Sequence, residues 1–160
     1  MGVKRPWNMV DMPVYSLATY DGDKVNMNIC TYVTAISMKP KMFMVAIDYV
    51  TKTFENLEKD SNVILQILHQ NHQSLVRLLG KKSGKNVNKH EKLTEKGLIG
   101  KWNGHQVLID ACGYLSLQLK GRQDVGGDHE LFWFEVQKSK TNSEDNILMF
   151  QDLIRAGIIL

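Results

Sequence analysis

The dipeptide Asp21-Gly22, set between two runs rich in β-branched and aromatic residues, constrains this chain more than any other feature. Val14 to Tyr20 lead into it, and a second run extends beyond it through Ser37. A type I′ turn needs positive φ at both central positions, which Asp-Gly tolerates, so the pair predicts an antiparallel hairpin. Met42 to Tyr49, Val63 to Leu68, Val107 to Leu119 and Glu130 to Gln137 read as further strands, with Gly121, Gly126 and Gly127 supplying turns. Helical patterning is confined to short stretches. A helix follows Thr51-Lys52-Thr53 and ends near Asp60, a second runs from His72 to Leu79 with Gly80 as its C-cap, and Ile147 to Ile154 suit a third. Lys81 to Lys101 reads as a long irregular connection of the functional or mobile kind. Many strands, two or three short helices and no βαβ alternation predict a mainly β chain folded as an antiparallel barrel.

A chain of 160 residues suits one domain spanning 1–160, because two cores would each be short of buried surface. Twenty Lys and Arg stand against 17 Asp and Glu, an excess too small for a nucleic-acid-binding face. The longest apolar runs, such as Met42 to Ile47, fall far below the roughly 20 residues of a membrane-spanning helix. Met1 to Asp11 carries no apolar stretch of signal-peptide length, so a cytoplasmic location is expected. Cys30 and Cys112 lie in apolar, strand-like stretches, which predicts buried thiols in a reducing compartment.

Three places could carry chemistry. Thr51-Lys52-Thr53 lies where a strand gives way to a helix, and helix N-terminal N–H groups with two hydroxyls and an ammonium would cradle a phosphate. Plain N-capping by Thr53 explains the same residues. Gly80-Lys81-Lys82-Ser83-Gly84-Lys85, followed by Lys89 and Lys92, is one residue short of a P-loop, and no Ser or Thr follows Lys85. A nucleotide-hydrolysing loop is therefore rejected, while a solvated loop and a phosphate-attracting one both stay open. His129, in Gly126-Gly127-Asp128-His129-Glu130, sits before an apolar strand, either as a ligand contact or as a surface turn residue. The five histidines show no metal-ligand spacing, and no Gly-x-Ser-x-Gly elbow supports hydrolysis.

Three segments in order carry a family resemblance: Asn26-Met27-Asn28-Ile29-Cys30-Thr31-Tyr32-Val33-Thr34 closing on Ser37-Met38-Lys39-Pro40, then Thr53-Phe54-Glu55-Asn56, then Gly127-Asp128-His129. From about Pro13 to Val136 the chain resembles the flavin reductase-like family of FMN-binding split barrels, which includes flavoredoxins and reductase components of monooxygenases. The resemblance implies an antiparallel Greek-key split β-barrel, a homodimer, and FMN in a groove near the dimer interface. It implies that Asn26, Thr31, Tyr32 and Thr34 line the isoalloxazine, with Tyr32 standing where the family often carries Trp. Thr53, with Thr51 and Lys52, would take the phosphate. Ser83, Lys85 or Lys89 would close over phosphate and ribityl, and His129 would approach the flavin. The apolar tail Ile158-Ile159-Leu160 adds to the expectation of a dimer.

The expected activity is NAD(P)H-dependent flavin oxidoreduction, passing electrons through FMN to an unidentified acceptor. No catalytic side chain is assigned, since hydride transfer to flavin needs no protein acid or base. An FMN-binding electron carrier or sensor without reductase turnover is the alternative, and an interaction barrel with an empty groove a third.

Overall fold

The computed structural model describes residues 2–159. Among the described residues nine strands form: β1 (Tyr15–Asp21), β2 (Lys24–Met27), β3 (Val33–Met38), β4 (Lys41–Asp48), β5 (Asn62–Ile67), β6 (Ile99–Trp102), β7 (His105–Leu108), β8 (Gly113–Asp124) and β9 (His129–Thr141). Four short helices accompany them: α1 (Lys52–Leu57), α2 (Val76–Gly80), α3 (Lys89–Glu95) and α4 (Phe150–Arg155). Seven strands make one antiparallel sheet in the order β2-β1-β5-β8-β9-β4-β3, and β6 pairs with β7 separately. After the β3–β4 hairpin the chain returns to place β5 beside β1, as Greek-key connectivity requires.

The hairpin forms where Asp21-Gly22 predicts it, with a shifted turn. Asp21 pairs with Lys24, so Gly22 and Asp23 are the central residues. Gly22 has φ +63° while Asp23 is not in the positive region, a type II′ pattern instead of I′. The run to Ser37 is also not continuous. Asn28 to Tyr32 leaves the ladder between β2 and β3 and crosses the open side of the sheet. Cys30 exchanges both backbone hydrogen bonds with Tyr15 at 2.8 and 2.9 Å, and the Tyr32 carbonyl accepts from Ala46 N at 3.0 Å. One connection thus touches β1 at one end of the sheet and β4 at the other, curling an unclosed sheet into a split barrel.

Two cores result, one on each face. Leu17, Val63, Leu65, Leu117, Phe132 and Phe134 fill the barrel with Leu57 of α1, while Ala18, Met27 and Ile64 face outward beneath Leu79, Leu93, Leu108 and Leu153. Burial on both faces explains why β1 and β5 lack apolar–polar alternation. The outer layer corrects two expectations. The segment 81–101 contains α3 and most of β6, because Leu93 and Ile99 pack on the outer core. Gly80 is the last residue of α2 and not a left-handed cap; Ile29 lies 3.2 Å from where its Cβ would be. Ile158 is buried and Ile159 packs against the same core, so this tail covers its own barrel; Leu160 lies outside the described residues. Cys30 and Cys112 are buried free thiols.

Candidate functional site

Asp48, the last residue of β4, organises the turn into α1. Its carbonyl accepts from Thr51 Oγ1 at 2.8 Å and its carboxylate from Val50 N at 3.1 Å. Thr51 Oγ1 in turn accepts from Phe54 N at 3.2 Å, which makes Thr51 the N-cap. The capping expected of Thr53 therefore belongs to its neighbour two residues back. Thr53 is free for another contact: buried on the inner face of α1, its hydroxyl accepts from Asn26 Nδ2 at 3.3 Å. One helical turn on, Asn56 Nδ2 donates to Thr19 Oγ1 at 3.1 Å. Thr19 and Asn26 are cross-strand partners in the β1–β2 hairpin. The Thr-x-x-Asn spacing thus pins one face of α1 to a directly opposed residue pair.

Beside this junction lies a cavity of about 370 Å³. Nine of the expected residues line it: Asn26, Thr31, Tyr32, Thr51, Lys52, Thr53, Ser83, Lys89 and His129. Two do not. Thr34 is exposed on β3, its hydroxyl donating to the Ala35 carbonyl at 3.4 Å, and Lys85 lines a second cavity of about 400 Å³ bounded in part by residues 84–90. His129 opens β9 and is held in register opposite Asp48. Its ring meets Tyr32 edge-on at a centroid distance of 5.2 Å, and Nδ1 lies 2.6 Å from Asp128 Oδ1, which holds that carboxyl below its ordinary range.

The lysines differ in their charge balance. Lys52 Nζ pairs with Glu55 at 2.9 Å and Asp21 at 3.2 Å, contacts that keep it above the ordinary lysine value, with Glu55 contributing most. Lys89 is 5% exposed, and its Nζ donates to the carbonyls of Leu79 at 2.7 Å and Met27 at 3.2 Å. Burial pushes its pKa down to about 8. Lys89 belongs to α3 and not to the irregular connection in which its sequence context placed it.

Several lining residues escaped the sequence reading. Asn28 accepts from Leu17 N at 2.8 Å and fixes the crossing segment; Ile29, Cys30 and Ile47 make the apolar wall. Burial pushes the Cys30 thiol up to about 12, so it stays protonated. Gly84 is the point where the segment 81–88 meets the floor: a Cβ there would overlap Asn26 Oδ1 and lie 2.9 Å from Lys52 Cβ. A glycine inside a lysine-rich segment signals close backbone approach, but what it approaches is set by strands far away in sequence.

An open antiparallel barrel with a polar cavity at its β4–α1 corner defines the split-barrel class. The chain belongs to the flavin reductase-like family: the family model for the flavin reductase like domain matches residues 8–156. No curated protein sequence matches the chain. Solved structures share the fold. An FMN-binding protein from Thermus thermophilus with bound p-hydroxybenzaldehyde superposes with TM-score 0.77 at 21% identity, covering 90% of this chain and 79% of that one. Flavoredoxin from Methanosarcina acetivorans gives 0.78 at 15%, covering 93% and 86%. The styrene monooxygenase flavin reductase from Pseudomonas putida gives 0.75 at 17%, covering 90% and 88%.

Proposed function

We propose that this protein binds FMN in the 370 Å³ cavity and acts as a flavin reductase, passing electrons from NAD(P)H through the flavin to an acceptor. The observation that carries the reading is the composition of the cavity. An apolar wall of Ile29, Cys30 and Ile47 stands beside an aromatic pair, Tyr32 and His129, and hydroxyls from Thr51 and Thr53 share the space with a buried lysine. Such a set suits a flat apolar ring joined to a phosphate. Thr51, Thr53, Ser83 and Lys89 would hold the phosphate end, while Tyr32 and His129 would flank the ring and Ile29 and Ile47 would keep water from it.

FMN supplies the electron-accepting ring when bound. The nicotinamide would share the same groove, as the chain has no G-x-G-x-x-G turn. The family's name, and those of the Thermus and Pseudomonas proteins, support FMN and reductase chemistry by analogy. We read the chain as one domain, working as a cytoplasmic homodimer. In that assembly Thr34, on the exposed edge strand β3, would reach a flavin only across the subunit interface.

The test is direct. Purified protein should be yellow or become so with FMN, should bind FMN more tightly than riboflavin, and should oxidise NADH or NADPH when flavin is present. Equal affinity for FMN and riboflavin would sink the phosphate assignment. Tight FMN binding without nicotinamide oxidation would return the protein to the electron-carrier reading.

A further inference from the structure

Lys89 is a buried charge whose partners among the described residues are backbone carbonyls and no carboxylate. It takes part in none of the ion pairs among the described residues, although Lys52, Lys59, Lys120, Arg122 and Arg155 all find carboxylates. Asp21 and Glu55, on the elements nearest the two cavities, are already engaged by Lys52 and Lys59. Its own helix does not favour it either. Lys89 opens α3, where the helix dipole presents its positive end, and Asn88 rather than Lys89 caps that end. Two of the ammonium's three N–H groups go to carbonyls, which leaves one. Lys89 also lines both cavities.

The carboxylates that share the cavities with Lys89 are engaged elsewhere. Lys52, Lys81, Lys82 and His129 share the first cavity with it, and Asp48 is committed to the turn before α1. Asp21, Lys24, Lys52, Lys85 and His90 share the second; Asp21 there is paired with Lys52 and Lys59, and His90 Nδ1 accepts from Val25 N at 3.4 Å. Glu91, on α3 itself, lines neither cavity with Lys89. An isolated buried cation is costly, and an anion arriving in the cavity relieves that cost.

We infer that Lys89 is the residue that selects a phosphorylated ligand over its unphosphorylated form, and that phosphate binding is coupled to uptake of a proton by its amine. The inference rests on the FMN reading and deepens it. With the amine of the free protein titrating at about 8, part of the protein is neutral at this position at mildly alkaline pH and must gain a proton to meet the phosphate. The phosphate itself is dianionic across that range, its second ionisation falling near pH ~6, so it releases little to offset the uptake.

Affinities for FMN and for riboflavin, measured at constant ionic strength from about pH 7 to about pH 9.5, test this, because their ratio cancels whatever the shared ring contributes. The FMN-to-riboflavin ratio should fall toward tenfold per pH unit above about pH 8, and Lys89→Arg, charged throughout, should keep the preference and flatten its profile. Calorimetry in two buffers of different ionisation enthalpy near pH ~8 should find about half a proton taken up per FMN and none per riboflavin. This arm needs no variant, so it holds if Lys89→Arg fails to fold. A preference for FMN that stays flat with pH and takes up no proton would overturn the inference and leave Lys89 a pin between α3, α2 and β2, with the FMN reading intact. Failure of both flavins to bind at neutral pH would overturn the two together.

Discussion

Thr51 and Thr53 are two positions apart on one turn, yet the hydrogen bonds separate their roles. Thr51→Ala removes the acceptor for Phe54 N and should cost about 1 kcal/mol of stability, a melting-temperature loss of about 2 to 4 °C, whatever ligand is present. Thr53→Val keeps the shape of a fully buried side chain but withdraws the acceptor for Asn26 Nδ2 and the hydroxyl from the cavity. It should weaken FMN by about 1 to 3 kcal/mol in a fluorescence titration. A Thr51→Ala protein that melted like wild type would remove the capping role from Thr51. Gly84→Ala puts a Cβ onto Asn26 Oδ1, and lifting the segment 81–88 should weaken FMN by about 1 to 3 kcal/mol. Because that segment is largely exposed, melting should shift little; equal affinities would show that the contact is not part of the site. The sequence marked Thr51 and Thr53 as a phosphate cradle or a cap at Thr53 and Gly84 as part of a lysine-rich loop, but that Thr53 meets Asn26 while Thr51 caps, and that the glycine approaches Asn26 as well, depended on β2, over fifty residues upstream of Gly84.

At the scale of elements, α3 carries a pH dependence of its own. The folded pKa of Lys89, about 8, lies below the ordinary 10.5, so between these values the unfolded chain holds a proton that the folded chain has released. Stability from this group therefore rises with pH across that window, by of order 3 kcal/mol in all. Cys30 acts in the opposite sense: its thiol, pushed from 9.0 up to about 12, stays protonated in the fold and costs stability above pH 9.0. Tyr20, also raised by burial, adds to that loss at higher pH. The measurable quantity is accordingly a difference. Lys89→Met should gain most over wild type in urea unfolding near pH ~7, with the gap closing toward pH ~10. A gap that stayed constant would mean that Lys89 is not the titrating group. The element itself was not legible in sequence, because a charged run such as Lys89-His90-Glu91-Lys92 shows no apolar stripe and Leu93 is the single apolar residue that α3 buries.

At the scale of the whole molecule, the edge strand β3 leaves apolar side chains uncovered. β3 ends the sheet, and Ile36, at the irregularity in its pairing with β4, is 48% exposed while Met38 is 78% exposed. Tyr32 and Val50, which line the cavity, are exposed as well. Uncovered apolar side chains on an edge strand invite a second chain, so the homodimer expectation rests on this face and no longer on the C-terminal tail. Ile36→Lys combined with Met38→Lys should convert a dimer to a monomer in light scattering and lower FMN affinity with it. Wild type that scatters as a monomer at micromolar concentration would remove the partner from the site.

What the sequence determined by itself is local: a hairpin at Asp-Gly, a cap and hydroxyls before α1, a polar turn before β9, and three short motifs whose order names a family. These are legible because turn geometry and capping depend on neighbours a few residues away. Only the tertiary structure decided that Asn28 to Tyr32 crosses the open side of the barrel, that Thr53 meets Asn26 while Thr51 caps, and that Lys89 is buried between Leu79 and Met27 without a counter-charge. Those outcomes turn on the burial of groups brought together from distant segments, and solvation of a charge or hydroxyl is a property of the packed surroundings, which no local stretch of sequence contains.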